Sequence, residues 1–285
     1  MRPTDKDEPI VEYLQRGDDR LAVHIYPEPP DASGPFVVIW PAMGVPARYY
    51  RSFVVELRAA GLGVAVADLR GTGASTPPPS RRSRYRLADL VDDVAAVQQA
   101  LAPRITGRRC LLLGHSLGGQ VALLHTGLAE ESTVDGVVLV AVGLPHFRRY
   151  PPRRAAWVLA LTQGTNAASA LLRVWPGWRF GGRQARGVIR DWAYTARHGR
   201  YPHLAGRDAE AALRGVAVPV LAISVENDAY TPEPTTELLV GKLAAARVER
   251  EHYSAAQAGA PLNHFRWVRA SAPLAVRVAE FAARL

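Results

Sequence analysis

The chain has 285 residues, 48% of them hydrophobic and 21% charged, which allows a sizeable core and excludes disordered or collagen-like classes. Its net charge of +9 raises a nucleic-acid or anionic-surface partner, but Lys occurs only at Lys6 and Lys242, the Arg residues are scattered and no nucleic-acid motif joins them. The charge therefore reads as composition bias, and no nucleic-acid partner is expected.

The polar start, residues 1–8, has no apolar signal segment, and no apolar run is long enough for a membrane span. The single cysteine, Cys110, excludes an intramolecular disulfide and reads as a small buried hydrophobe. A cytoplasmic location is expected.

Residues 10–15 and 21–26 read as a strand hairpin turning at Gly17, and 27–35 as a Pro-rich loop. Residues 36–40 are continuously apolar, as suits a strand buried on both faces. A helix is expected over 47–60, stopped by Gly61, then a strand over 64–67 and a helix over 87–101. On that helix Asp89, Asp92 and Asp93 read as a solvated face. Strands follow at 109–113 and 134–142, flanking a helix over 117–128. The alternation breaks over 145–215, which carries helical patches at 155–161, 167–174 and 188–196 and no clear strand. Trp157, Trp175, Trp178 and Trp192 argue against a disordered linker there. Strands at 218–225 and 247–253 and helices at 235–245 and 273–285 close the chain.

Alternating strands and helices imply a mostly parallel sheet flanked by helices, with ligands bound at the carboxyl ends of its strands. The expected division is an α/β core over 10–144 and 216–285, with 145–215 inserted as a helical cap.

Gly114-His115-Ser116-Leu117-Gly118 fits the nucleophile-elbow pattern, with a strand before it and a helix after it. The turn lifts a serine hydroxyl above the sheet, next to the free N–H groups that begin a helix. A serine needs a base, and the base needs a carboxylate to orient it. Asp228 and His264 each follow a strand and are the preferred acid and base. Glu226 and His252 are the competitors, and His115 reads as packing beside the turn. An oxyanion would be held by the N–H of Leu117 and by one from the loop after Trp40, with Met43 the candidate. Trp157, Leu161, Trp175 and Trp192 are candidates to wall the substrate pocket, and Arg148, Arg149, Arg153 and Arg154 give its entrance a positive bias. No metal-ligand spacing and no phosphate loop is present.

Together Gly114-His115-Ser116-Leu117-Gly118-Gly119, Asp68-Leu69-Arg70-Gly71-Thr72-Gly73, Asp228 and His264 resemble the α/β-hydrolase superfamily over nearly the whole chain. More narrowly, Pro41-Ala42-Met43-Gly44-Val45-Pro46 with Tyr50 and Phe53 is similar to a bacterial group of serine hydrolases. So are Asp191-Trp192-Ala193-Tyr194 and the His264-Phe265-Arg266 neighbourhood. Two positions depart from the superfamily: Pro41-Ala42 stands for its usual His-Gly, and Asn263 for the glycine before the base. The resemblance implies hydrolysis of an ester, thioester or amide of a small acyl substrate, without a cofactor. A haloperoxidase, an acyltransferase or a silent binding protein on the same scaffold are the alternatives. Epoxide hydrolases and dehalogenases of this superfamily place Asp where this chain has Ser116.

Overall fold

Five short apolar runs build the centre of the sheet, and their side chains alternate between two cores. Phe36, Val38 and Trp40 point into one, Val37 and Ile39 into the other, and all five are buried. A computed structural model describes residues 8–29, 33–129, 133–178 and 180–285. Residues 1–7, read above as lacking a signal segment, and 30–32 of the expected Pro-rich loop lie outside the described residues.

The first half runs β1 (Ile10–Arg16), β2 (Asp19–Ile25), β3 (Phe36–Trp40), α1 (Arg51–Ala59), β4 (Gly63–Ala67), α2 (Leu87–Ile105), β5 (Cys110–His115), α3 (Leu117–Leu128) and β6 (Gly136–Val140). Next come α4 (Pro152–Leu172), β7 (Val174–Trp175), β8 (Gln184–Ala185), α5 (Arg186–His198) and α6 (Ala209–Gly215). The chain closes with β9 (Val220–Val225), α7 (Glu233–Val240), β10 (Val248–Tyr253), α8 (Ala255–Ala258) and α9 (Ala272–Ala283).

The sheet order is β1-β2-β4-β3-β5-β6-β9-β10. The β1–β2 hairpin pairs antiparallel to β4, and every other neighbour is parallel. This is the mostly parallel, helix-flanked sheet that the alternation implies. Helices α2 and α3 cover one face, and α1 and α9 the other. Because β3, β5, β6, β9 and β10 are parallel, their carboxyl ends share one edge of the sheet.

Three local expectations change. The patches at 155–161 and 167–174 are one helix, α4, and Val174 belongs to a strand rather than to its end. Its buried stripe, Val158, Thr162, Thr165 and Ser169, has helical spacing but is mostly hydroxylated, so apolar periodicity misses it. Second, β7 and β8 form a short antiparallel pair where no strand was expected. Third, Asp93 is not on a solvated face: it is 1% exposed and takes two hydrogen bonds from the Arg70 guanidinium and one from Arg16. Burying a carboxylate requires such partners.

Candidate active site

Ser116 joins β5 to α3 with φ 54° and ψ −120°. A non-glycine residue held there stores roughly 1–3 kcal/mol of backbone strain, which its surroundings must offset. The surroundings leave no slack. A Cβ on Gly114 would overlap the Gly119 Cα, and one on Gly118 would overlap the Trp40 carbonyl oxygen. The elbow therefore packs backbone against backbone, against its own helix and against the end of β3. Leu117 is the first residue of α3, so its N–H has no acceptor within the helix.

Asp228 follows β9, and His264 follows β10 and α8. Nδ1 of His264 lies 2.7 Å from Oδ2 of Asp228, and both residues are buried. Oδ1 of Asp228 also accepts the N–H groups of Tyr230 at 2.7 Å and Thr231 at 2.9 Å. Oγ1 of Thr231 donates to Oδ2 at 2.6 Å. Burial pushes the Asp228 carboxyl up, but the bonds from His264 and Thr231 more than offset it and hold it below the usual carboxylate value. With its Nδ1–H given to the carboxylate, the imidazole presents a lone pair at Nε2. Asn263 shapes this loop: its Oδ1 accepts the N–H groups of Phe265 at 2.9 Å and Arg266 at 2.8 Å. That Asx-type turn is a role glycine could not fill.

The competitors are engaged elsewhere. Glu226 accepts the N–H of Ala255 at 2.7 Å, at the start of α8. His252 lies opposite Ser224 in the β9–β10 register, with Nδ1 2.8 Å from the Ser224 hydroxyl. That pair lines a separate cleft with Glu233, Glu237, Arg250 and Glu251. His115 is fully buried, and burial holds its pKa well below the ordinary histidine value, with the nearby His264 lowering it further.

His115 has a partner that the sequence did not suggest. Its Nδ1 is 2.8 Å from Oη of Tyr50, and the same Oη accepts the N–H of Ala42 at 2.9 Å. The His115 ring packs on that of His264 with centroids 4.8 Å apart. Tyr50 and His115 thus form a buried strut from the loop after β3 to the ring of His264. The Ala42 N–H is thereby occupied, and that of Met43 is the next along the loop.

Ser116, His264, Met43 and Leu117 line one cavity of about 180 Å³. Trp157, Leu161 and Trp192 line it as well. Trp175 does not: it is buried, donates its indole N–H to Phe180 O at 2.9 Å and packs edge-on against Trp178. The sequence reading missed Phe180, Tyr230 and Phe265, which build an aromatic wall. Phe180 stacks between Trp192 and Tyr230, and Tyr230 contacts both His264 and Phe265. The available signal was adjacency, since Phe265 follows His264 and Tyr230 lies two residues past Asp228. Gly44 and Gly181 meet so closely that a Cβ on Gly44 would overlap the Gly181 carbonyl. Gly181 and Gly182 therefore sit directly on the loop that carries Met43.

The family profile described as Hydrolase_4, serine aminopeptidase S33, matches residues 32–207, more than half of the chain. The chain belongs to this α/β-hydrolase family. Among curated relatives, the hydrolase is 36% identical over 109 residues to "Putative carbamate hydrolase RutD" of Variovorax paradoxus, and that match covers 38% of each chain. A second protein of that name, from Pantoea ananatis, is 27% identical over 226 residues, covering 75% of this chain and 78% of the relative. Among solved structures, a hydrolase from Pseudomonas aeruginosa PA01 superposes with a TM-score of 0.61 at 22% identity, covering 95% of this chain and 97% of that one. That likeness shows the shared fold. Among the described residues, no group of three or more His, Cys, Asp or Glu side chains could hold a metal ion in the hydrolase, and no helix is long and apolar enough to cross a membrane.

Proposed function

We propose that the hydrolase cleaves an acyl bond, best an ester, through a covalent intermediate on Ser116. One observation carries the reading: His264, bonded at 2.7 Å to the buried Asp228, and the strained Ser116 line the same cavity. His264 Nε2 takes the hydroxyl proton as Oγ attacks the acyl carbon. The N–H groups of Leu117 and Met43 receive the developing oxyanion. The bond to the alcohol then breaks, and the alcohol leaves with the proton from His264. Water repeats the sequence in reverse, adding OH to the acyl carbon and returning the proton to Ser116. Asp228 stays ionised throughout and stabilises the imidazolium that forms.

Residues 145–215 act as the cap of this site. They supply Trp157, Leu161, Phe180 and Trp192 to the cavity wall. An engineered cavity of about 150 Å³ takes up benzene, so about 180 Å³ suits a short acyl or aryl group rather than a long fatty chain. A serine rather than a carboxylate at the elbow favours acyl substrates over epoxides. The carbamate named in the description of two relatives is itself an acyl substrate.

The two Ser–His pairs make the test internal. The expected outcome is that His264→Ala lowers kcat on a short ester by about 10³-fold or more, while His252→Ala changes it little. The reverse order would assign the chemistry to Ser224 and overturn the reading.

A further inference from the structure

Arg154 stands in the first turn of α4 and lines the cavity that holds Ser116 and His264. No other Arg or Lys and no Asp or Glu is among its described lining residues. The first turn of α4 also carries no acidic residue. Nη2 of Arg154 donates to Ala229 O at 2.6 Å, and Nε is buried without an acceptor among the described residues. The guanidinium lies 5.8 Å from the ring centre of Trp157, which holds it against the aromatic wall. Nη1 likewise has no acceptor among the described residues, so this cation keeps donors that they do not satisfy.

Three other polar lining groups are already committed. Tyr150 Oη donates to Tyr230 O at 2.5 Å. Gln120 gives Nε2 to Gly143 O at 2.9 Å and accepts the Tyr201 hydroxyl at 3.0 Å. Thr162 donates to Leu159 O at 3.1 Å. Arg154 is the one formal cation among the described lining side chains, and its guanidinium keeps donors that the described residues do not take up. A guanidinium with no acidic partner among the described residues, beside an apolar wall, favours an anion, and its planar fork matches a carboxylate.

We infer that Arg154 binds a carboxylate on the substrate, so that the preferred substrate is a short ester carrying one negative charge. The inference rests on the reading of Ser116 as nucleophile and adds the chemical class of what it cleaves. The cavity's size limits that substrate to an acyl or alcohol part of about the bulk of benzene, as in a half-ester of a short dicarboxylic acid.

The test compares matched esters in a pH-stat at pH 8. Methyl hydrogen glutarate is set against methyl pentanoate for a charge on the acyl side. For the alcohol side, 4-acetoxybutyrate is set against butyl acetate. The expected result is a kcat/KM ratio of charged to neutral ester of about 10 or more in one pair, declining as salt rises. Arg154→Met lowers that ratio by about 10- to 100-fold, and Arg154→Lys lowers it less. Should Arg154→Met fail to fold, Arg154→Lys, which keeps the charge and loses the fork, gives the same comparison. Ratios at or below one in both pairs overturn the inference, as does a ratio that neither variant changes. Labelling of Ser116 by a fluorophosphonate in the same preparations separates the two readings. With the label on Ser116 and no charge preference, only the Arg154 inference falls. With no label on Ser116, the nucleophile reading falls and takes this inference with it.

Discussion

Tyr50 is fully buried, and its hydroxyl joins the Ala42 N–H to His115 Nδ1. Tyr50→Phe would leave both without a partner, at a cost of about 1–3 kcal/mol for each unmet buried group. If the strut positions the oxyanion loop and the base, Tyr50→Phe lowers kcat by about 10-fold and leaves KM nearly unchanged, the mark of an interaction made in the transition state. A lower melting temperature with unchanged kcat would make Tyr50 a core residue only. At this scale the sequence was legible where residue type and chain position coincide. Ser116 lies between strand and helix, and Asp228 and His264 each follow a strand. Tyr50 was not legible, because its role depends on a partner 65 residues away. Trp175 misled for a similar reason: a large aromatic in the insertion can face the cavity or its own segment, and only Trp157 and Trp192 of the pocket candidates in that class face the cavity.

Among elements, the elbow carries the sharpest steric constraint. An ideal Cβ on Gly118 would stand 2.5 Å from Pro41 O and closer still to Trp40 O, so Gly118→Ala must push the loop after β3 away from α3. Overpacking of this kind costs about 1–3 kcal/mol. The expected outcome is a lower melting temperature and a kcat loss exceeding any change in KM, because Met43 moves with the loop. Wild-type kcat with reduced stability would separate that loop from the chemistry. The sheet elements were readable because strands buried on both faces are continuous apolar runs, and α3 emerges with the boundaries expected for it. Helix α4 was not, because Thr162, Thr165 and Ser169 bury hydroxyls along its stripe and Gly164 interrupts the pattern. Strands β7 and β8 have two residues each, too short for any alternation to register.

Over the whole molecule, the positive charge is dispersed. Arg277 pairs with Glu249 and Glu251, Arg207 with Asp92, and Arg104 with Glu12, on unrelated elements. Acid sensitivity comes instead from buried histidines. Burial lowers His125 from 6.5 to about 4 and holds His115 well below its ordinary value. Both stay neutral when folded and bind a proton on unfolding below about pH 6.5, so stability rises with pH up to that point and is lost below it. His125 alone accounts for roughly 3 kcal/mol between its two values. Asp228, held low in the folded state, adds a loss in the same direction below its unfolded value of 3.8. The melting temperature is therefore expected to rise from pH 4.5 to 7, and His125→Leu to flatten the rise; an unchanged slope would exclude His125 as its source. The central claim, that Ser116 is the nucleophile of the intact hydrolase, is tested most directly by mapping a fluorophosphonate adduct by mass spectrometry. The account predicts one adduct, on Ser116, that disappears in Ser116→Ala together with turnover. An adduct on Ser224, or turnover that survives Ser116→Ala, would contradict it.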